Sequence, residues 1–202
     1  MMLVEQTTVP SIALPVAEFK DHLLLGTGFS DDGSQDAILE NYLRAAIAAI
    51  EARTGKVLVS KQYTWTLTAW REASHQPLPL APVFAIDELR IIDRTDVATI
   101  VDPTGYVLEK DMHRPKLWAS GYSLASIPIG GAAEIDFWAG YGAAWSDVPV
   151  DLGQATYMLA SHFYENRSAS GGSDGTVPFG VSALIERYRN IPIDELAQDP
   201  DV

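Results

Sequence analysis

The sequence predicts an α+β protein: a small helical bundle with an inserted antiparallel β-sheet module. Three observations predict this fold class. Apolar residues recur at helical intervals before Gly55 and again after Pro149, whereas between these two points they alternate with polar residues. Turn-forming sequences separate the alternating runs, which favours antiparallel hairpins. No internal repeat is visible, so helices on both sides of one sheet region are most simply placed in a single bundle.

Residues 1–55 are predicted to form the N-terminal helices of the bundle. The first helix is expected over residues 15–25, because Pro15 suits a first helical turn and Gly26 suits the position beyond the end. Its inward-facing side chains would be those of Val16, Phe19 and Leu23.

The second helix is expected over residues 34–54. Either Ser34 or Asp36 can cap its start, and Gly55 can end it in a left-handed turn. Its apolar stripe consists of Leu39, Leu43, Ala46 and Ile50.

Residues 56–145 are predicted to form the inserted β-sheet module. Its first strand alternates apolar and threonine-rich positions from Val57 to Thr68, which is typical of a half-buried strand. Further strands are expected at residues 88–93, 97–101, 106–109, 116–119 and 133–141. Residues 93–96 and 102–105 have the composition of tight turns and predict hairpins. A stiff, extended connection into this region is predicted from Pro77, Pro79 and Pro82.

Residues 146–191 are predicted to complete the bundle with C-terminal helices. One helix is expected over residues 149–167, followed by a flexible loop at residues 168–176. The last helix is marked by an i, i+3, i+4, i+7 set, namely Val181, Leu184, Ile185 and Tyr188. Residues 192–202 are predicted to be a mobile acidic tail.

Composition excludes several classes of function. The 202 residues contain no cysteine, which excludes disulfides, thiol catalysis and cysteine-ligated metals. Lys and Arg number 14 against 27 Asp and Glu, and a net charge of −13 argues against a protein that neutralises nucleic-acid phosphates. The sequence shows no secretory signal and no apolar run long enough for a membrane span, so we expect a soluble protein that is intracellular when made.

The side chains that could carry chemistry do not form a recognisable site. His162 and Glu165 are three residues apart on one helix, as in di-metal carboxylate bundles, but the other helices offer no second pair. Asp31 and Asp32 lie in a polar loop where solvation is the simplest interpretation. The sequence contains neither a nucleophile elbow nor a phosphate-binding glycine loop. We therefore predict no catalytic, cofactor-binding or metal-binding residues.

Other features indicate assembly. Two largely uncharged stretches, residues 73–86 and 117–133, are typical of contact surfaces, as is an amphipathic terminal helix beside a polar loop. The terminal helix could swing away from the body to reach a partner, or it could pack on its own domain. The sequence leaves both possibilities open.

The chain resembles the head–tail connector proteins of long-tailed phages, which are also called adaptor or head-completion proteins. The resemblance spans about residues 12–191 and depends on the order and spacing of several short motifs. These are residues 14–20, 36–55, 63–67, 78–83, a hairpin around Tyr106, the run Ala139-Gly140-Tyr141-Gly142, residues 148–152 with Ala155, and residues 162–167. Gene transfer agents, which are domesticated phage-like particles, carry similar proteins, and the sequence does not separate the two sources.

The resemblance implies a structural protein of the particle and not an enzyme. Members of the family form a ring, usually a dodecamer, below the portal protein, where they extend the DNA channel and provide a platform for stopper or tail-completion proteins. Double-stranded DNA would pass through the channel without specific binding. The protein would be in the host cytoplasm during assembly and then at the head–tail junction. The acidic composition suits a channel component, because a negative lumen repels the DNA backbone.

The resemblance also places the C-terminal region at the portal. The residues that we expect to bind it are Val181, Leu184, Ile185, Arg187, Tyr188 and Arg189. The alternative is a small-ligand-binding or enzymatic domain with its site on the inserted sheet. A ring-forming protein should bury the Tyr63 and Trp65 face or residues 117–133 against a neighbour, whereas an enzyme should show a deep pocket with convergent polar groups.

Overall fold

A computed structural model describes residues 1–23, 35–166 and 177–189 of the chain. They form two compact units, a sheet unit of Met1–Ala13 and Lys56–Val148 and a helical unit that comprises Leu14–Gly55 and the chain from Pro149 onwards. All strands but the first lie in the chain between the second and third α-helices, and they form two antiparallel sheets, which confirms the predicted α+β class.

The N-terminal boundary differs from the predicted one. Met1–Ala13 belong to the sheet unit and not to the helices. Strand β1 (Met2–Glu5) pairs antiparallel with the strand Lys61–Leu67, with Leu3 opposite Trp65. Four residues are too few to show a periodicity, so the strand is specified by the sheet edge that it covers and not by its own sequence.

The helical unit contains four α-helices and a terminal 3₁₀ turn among its described residues. They are α1 (Val16–His22), α2 (Asp36–Thr54), α3 (Val150–Glu165), α4 (Phe179–Ile185) and the 3₁₀ turn Glu186–Tyr188. Helix α2 ends as predicted, because Gly55 adopts a left-handed conformation with φ of 66° and donates its amide to the Glu51 carbonyl at 2.8 Å. At its start Gln35 is the N-cap, without a side-chain cap bond. The predicted cap Ser34, the loop 168–176 and the tail 192–202 lie outside the described residues.

Helices α2 and α3 pack against each other, as their apolar stripes predict. The fully buried side chains of this unit include Phe19 of α1, Leu39, Leu43 and Ile50 of α2, and Leu152 and Leu159 of α3. None of the helices in the described part of the chain has the length and hydropathy to cross a membrane.

The sheet unit contains a five-stranded and a three-stranded antiparallel sheet. The strands after β1 are β2 (Lys61–Leu67), β3 (His75–Pro77), β4 (Val83–Ile92), β5 (Ala98–Ile100), β6 (Tyr106–Glu109), β7 (Lys116–Ala119) and β8 (Ala132–Ala139). The strand order is β1-β2-β8-β4-β5 in the larger sheet and β3-β7-β6 in the smaller one. The predicted bounds of β6 and β7 are confirmed.

Alternation along β2 and β8 determines which face of the larger sheet is buried. Tyr63 and Trp65 of β2 lie opposite Phe137 and Ile135 of β8, and all four side chains are buried. Thr64 and Thr66 point to the other face. We call this second face of the larger sheet, which carries Thr64 and Thr66 and the residues opposite them, Asp136 and Glu134, the threonine face.

One predicted hairpin is wrong. Residues 102–105 do form a turn, in which Asp102 accepts a hydrogen bond from the Thr104 amide at 2.8 Å and Pro103–Gly105 form a 3₁₀ turn. The turn does not join two paired strands, because β5 belongs to the larger sheet and β6 to the smaller one. Local turn composition specifies a change of direction but not the partner of the next strand. The predicted proline connection likewise differs, because Pro77 ends strand β3.

Gly140 explains part of the motif at residues 139–142. It has a φ of 132°, and a Cβ atom at this position would lie 2.5 Å from the Ser60 Cα. The neighbouring Tyr141 amide donates to the Leu58 carbonyl, and the Ser60 amide donates to the Gly142 carbonyl. A close backbone approach, which only glycine permits, therefore fixes the end of β8 against the segment that enters β2.

Candidate functional site

The apolar stripe of α4 lies in the core of the helical unit. Val181, Ile185 and Tyr188 expose 0%, 3% and 6% of their surface, and α4 packs on α3. The sequence leaves open whether this helix packs on its own domain or swings away to a partner, and in the structure it packs on its own domain. These three residues were predicted to bind the portal protein, but in this arrangement their side chains are occupied by intramolecular packing.

The side chains of the 3₁₀ turn bind the start of α3. The Tyr188 hydroxyl donates to Asp151 Oδ1 at 2.7 Å, and Arg187 Nη2 lies 2.6 Å from Asp151 Oδ2. Burial raises the pKa of the Tyr188 hydroxyl, which the Arg187 hydrogen bond opposes and the hydrogen bond to Asp151 reinforces. The Arg187 side chain is nevertheless 69% exposed, so it closes the turn and still presents its guanidinium to solvent.

A shallow groove lies beside this network, on the surface of the helical unit. Its volume is about 480 Å³, and it is lined by Pro149, Val150, Asp151, Gln154, Leu184 and Arg187. Val150 is 89% exposed and adds an apolar side chain to the groove. Arg189 is also exposed and pairs with Glu186 at 3.2 Å. Three of the six predicted contact residues, Leu184, Arg187 and Arg189, therefore remain accessible.

The threonine face of the sheet unit carries a network of charged side chains. Arg90 bridges Glu88, Glu134 and Asp136, with nitrogen–oxygen distances of 3.0, 3.1 and 2.9 Å. Thr64 donates to Asp136 at 2.5 Å. Burial lowers the pKa of Arg90, but attraction to the three carboxylates outweighs it and the pKa is raised. Arg90 therefore stays charged, and the network is a satisfied surface cluster.

The predicted neighbour-binding face of the sheet is already buried within the chain. Tyr63 and Trp65 belong to the sheet unit's own hydrophobic core, so the expectation that a neighbour covers them is wrong. The stretch 117–133 is divided. Leu117 and Leu124 are buried, whereas Tyr122 and Ile129 are fully exposed.

The two outer strands of the larger sheet, β1 and β5, carry exposed apolar side chains that the sequence analysis does not predict. Met2, Leu3 and Val4 in β1 are all exposed, and so is Ile100 in β5. The signal was present, because residues 1–4 contain no charge. Edge strands of soluble proteins usually carry charged residues or proline that discourage pairing with other chains.

A second depression lies on the sheet unit. Its volume is about 390 Å³, and it is lined by Thr68, Ala69, Trp70, Ala73, Ser123, Leu124, Ser126 and Ile127. No titratable side chain is among these residues. This depression therefore gives no support to the alternative of an enzymatic site on the inserted sheet.

The candidate metal pair is held by local contacts. Asn166 Nδ2 lies 3.1 Å from His162 Nδ1 and donates to the His162 carbonyl at 2.8 Å. Within residues 1–23, 35–166 and 177–189, no group of three His, Asp or Glu side chains is placed to hold a metal ion. Asp31 and Asp32 lie outside the described residues. The absence of a metal or cofactor stays a prediction.

Comparison with known proteins identifies close structural relatives. The chain is 55% identical to a chain in a structure described as the neck of an empty GTA particle computed with C6 symmetry, with a TM-score of 0.87. It is 54% identical, with a TM-score of 0.85, to a chain of the virion of a native gene transfer agent (GTA) particle. It is 50% identical, with a TM-score of 0.82, to a chain of the neck of a native GTA particle computed with C12 symmetry. Each match covers 95% of this chain and 97% of the other. No protein-family model and no curated protein matches the chain.

Proposed function

Because the chain belongs to the family of neck proteins of gene transfer agent particles, we propose that it is the head–tail connector, or adaptor, of such a particle. In this role it forms a ring below the portal protein, extends the DNA channel and provides the platform on which stopper or tail-completion proteins attach. The observation that carries the proposal is the 55% identity to a neck component over 95% of this chain and 97% of that one.

The ring is supported by the symmetry of the related necks. Two of them are computed with C6 and C12 symmetry. A cyclic arrangement repeats one chain around an axis through identical head-to-tail contacts. We take the ring of this protein to be a dodecamer, because a related neck is computed with C12 symmetry.

The charge of the chain supports a position around DNA. A net charge of −13 gives the protein a repulsive field toward phosphates. DNA that passes such a surface is not held by the backbone contacts that dominate protein–DNA affinity. The duplex would therefore slide through the ring during filling and release of the particle. We place the assembly of the ring in the cytoplasm of the producing cell.

We place the contact with the portal on the accessible part of the C-terminal region. Leu184, Arg187 and Arg189 are accessible, and Val150 adds an exposed apolar side chain to the same groove. An apolar anchor seated in such a groove would supply most of the binding energy, whereas exposed arginine pairs contribute only about 0.2–1 kcal/mol each. Val181, Ile185 and Tyr188 would support this contact from beneath.

A deletion in the producing cell tests the function. Without the gene for this chain, we expect particles with heads but without tails, since the platform for tail attachment is missing. Expression of the wild-type chain from a plasmid should restore tailed particles. If the deletion strain still makes tailed particles in normal numbers, the chain is not the connector.

A further inference from the structure

Both edges of the five-stranded sheet are open in the described part of the chain. At the first edge, β1 pairs with β2, and the Gln6 amide donates to the Gln62 carbonyl at 2.8 Å. Hydrogen-bonding residues alternate along an antiparallel strand, so Val4 and Met2 also direct their backbone groups toward β2. The amides and carbonyls of Leu3 and Glu5 therefore point away from the sheet.

The opposite edge offers the same pattern. The Asp93 amide donates to the Val97 carbonyl, and the Val101 amide donates to the Leu89 carbonyl. With Thr99 opposite Ile91, the odd-numbered residues of this strand direct their backbone groups toward β4. The backbone groups of Ala98 and Ile100 consequently point outward, at the same i, i+2 spacing as those of Leu3 and Glu5.

Side chains make the two edges complementary on the threonine face. One rung of the sheet runs through Met2, Thr66, Glu134, Arg90 and Ile100. The middle three residues are polar or charged, and only the two outermost are apolar. Met2 and Ile100 expose 60% and 61% of their surface, and Val4, on the same face of β1, exposes 37%. Each edge thus presents apolar side chains that water does not favour and that the other edge would cover.

We propose that β1 of one copy pairs with β5 of the next copy, so that the two open sheet edges form the copy-to-copy contact of the ring. A new β ladder would satisfy the outward backbone groups of both strands, while Met2 and Val4 would meet Ala98 and Ile100 on the threonine face. The absence of charged side chains before Glu5 in β1 is then explained by its role as an interface strand.

A second copy of this chain is the occupant, because a cyclic ring requires two different, mutually complementary surfaces on each subunit. Here one sheet supplies both surfaces, one at each end. The related necks computed with C6 and C12 symmetry contain repeated copies of chains very similar to this one. This inference rests on the proposed ring function and specifies its contact.

Cross-linking of engineered cysteines tests the contact in a chain that has none of its own. The variant carries both Val4→Cys and Ile100→Cys. Within one chain the two strands are four strand spacings apart, about 19 Å, so a shorter bis-maleimide linker cannot join them intramolecularly. The variant is first mixed with the particle's portal protein, and a sample is imaged by electron microscopy. The rest of the mixture is then treated with the linker and run on a denaturing gel.

We expect rings in the images and a ladder of covalent dimers, trimers and larger species on the gel. The control pair, Tyr122→Cys with Ile100→Cys, places a thiol that is more exposed than Val4 outside β1 and should give only the background of random collisions. A ladder no stronger than this control, in samples that contain rings, would overturn the proposed contact and leave the ring function standing. Dimers from Val4→Cys alone would show β1–β1 pairing and would also overturn it. If neither the variant nor the wild-type chain forms rings with the portal protein, the result would contradict both the contact and the proposed function.

A charge at either edge provides an independent readout. Lysine on an edge strand opposes pairing, so Val4→Lys and Ile100→Lys should each reduce ring formation at least tenfold, while Tyr122→Lys should leave it unchanged. Thermal unfolding of each variant establishes that the fold is intact. Normal rings from a folded Val4→Lys, Ile100→Lys double variant would contradict the proposal.

Discussion

Tyr188 donates a 2.7 Å hydrogen bond from its hydroxyl to Oδ1 of Asp151, which joins the final 3₁₀ turn to the first turn of α3. Asp151 also pairs with Arg187. The C-terminal helix is therefore tied to the helical unit by polar contacts at its end as well as by the burial of Val181 and Ile185. In this arrangement the helix is a packed part of the helical unit, so the portal contact that we propose would be made with the helix in place.

The first prediction concerns this helix. Ile185→Ala should lower the free energy of unfolding by about 2–5 kcal/mol, because it removes a buried side chain from the contact with α3. The matched control is Ala183→Ser on the exposed side of α4, which should change stability by less than about 0.5 kcal/mol. Urea denaturation followed by circular dichroism measures both. Equal, small effects would mean that the helix does not belong to the core.

The second prediction concerns the packing of α2 on α3. Leu43→Ala and Leu159→Ala should each destabilise the protein by about 2–5 kcal/mol, because both side chains are buried. Ile38→Ala, on the same helix as Leu43 but half exposed, should cost much less. Losses below about 0.5 kcal/mol at both leucines would contradict the described bundle.

The third prediction concerns the close approach at Gly140. Gly140→Ala should destabilise the protein by more than about 1 kcal/mol, since the new Cβ would collide with the Ser60 backbone and the φ of 132° disfavours any side chain. Gly121→Ala is the control, because no atom lies within 4 Å of the Cβ that it would add. Thermal unfolding compares the two variants. A Gly140→Ala protein as stable as the Gly121→Ala protein would contradict the described approach.

The fourth prediction concerns pH. The Arg114 and His113 amides donate to the Asp111 carboxylate and hold its pKa below the ordinary value of 3.8. Because the folded state binds this proton less readily, the contact stabilises the protein fully above pH 3.8, and this stabilisation is lost as pH falls through the lower, folded-state pKa.

Asp111→Asn keeps an oxygen that can accept both amides but removes the ionisation. We therefore expect its unfolding free energy to decrease less steeply than that of the wild type between about pH 4 and pH 2. A series of urea denaturation curves over this range measures the two slopes. Identical slopes would show that Asp111 does not contribute to the acid sensitivity.

The predicted helices and most strands follow from patterns that lie within each segment. Leu39, Leu43 and Ile50 make one helical stripe, and the alternation from Tyr63 to Leu67 makes one buried sheet face. These patterns specify burial directly because the period of the chain decides which side chains share a face. Gly55 is predictable for the same local reason, since few residues other than glycine accept its left-handed conformation.

Partners between distant segments could not be predicted in this way. Nothing local in Met2–Glu5 indicates pairing with β2, and nothing local in residues 102–105 indicates that the chain passes from one sheet to the other. The apolar stripe of α4 is compatible with a partner protein or with α3, because an amphipathic helix specifies a buried face but not what buries it. The motifs around residues 139–142 and 162–167 indicate the family from the sequence alone. Which of the predicted contact residues are accessible can be seen only in the structure.

The most direct measurement of the central claim is electron microscopy of the purified chain mixed with the portal protein of the same particle. We predict that one face of the portal gains an additional ring of this chain, coaxial with the portal channel and with twelve-fold symmetry, as in the related neck computed with C12 symmetry. Portal particles that stay unchanged at a saturating concentration of folded chain, or that bind it without forming a ring around the channel, would contradict the account.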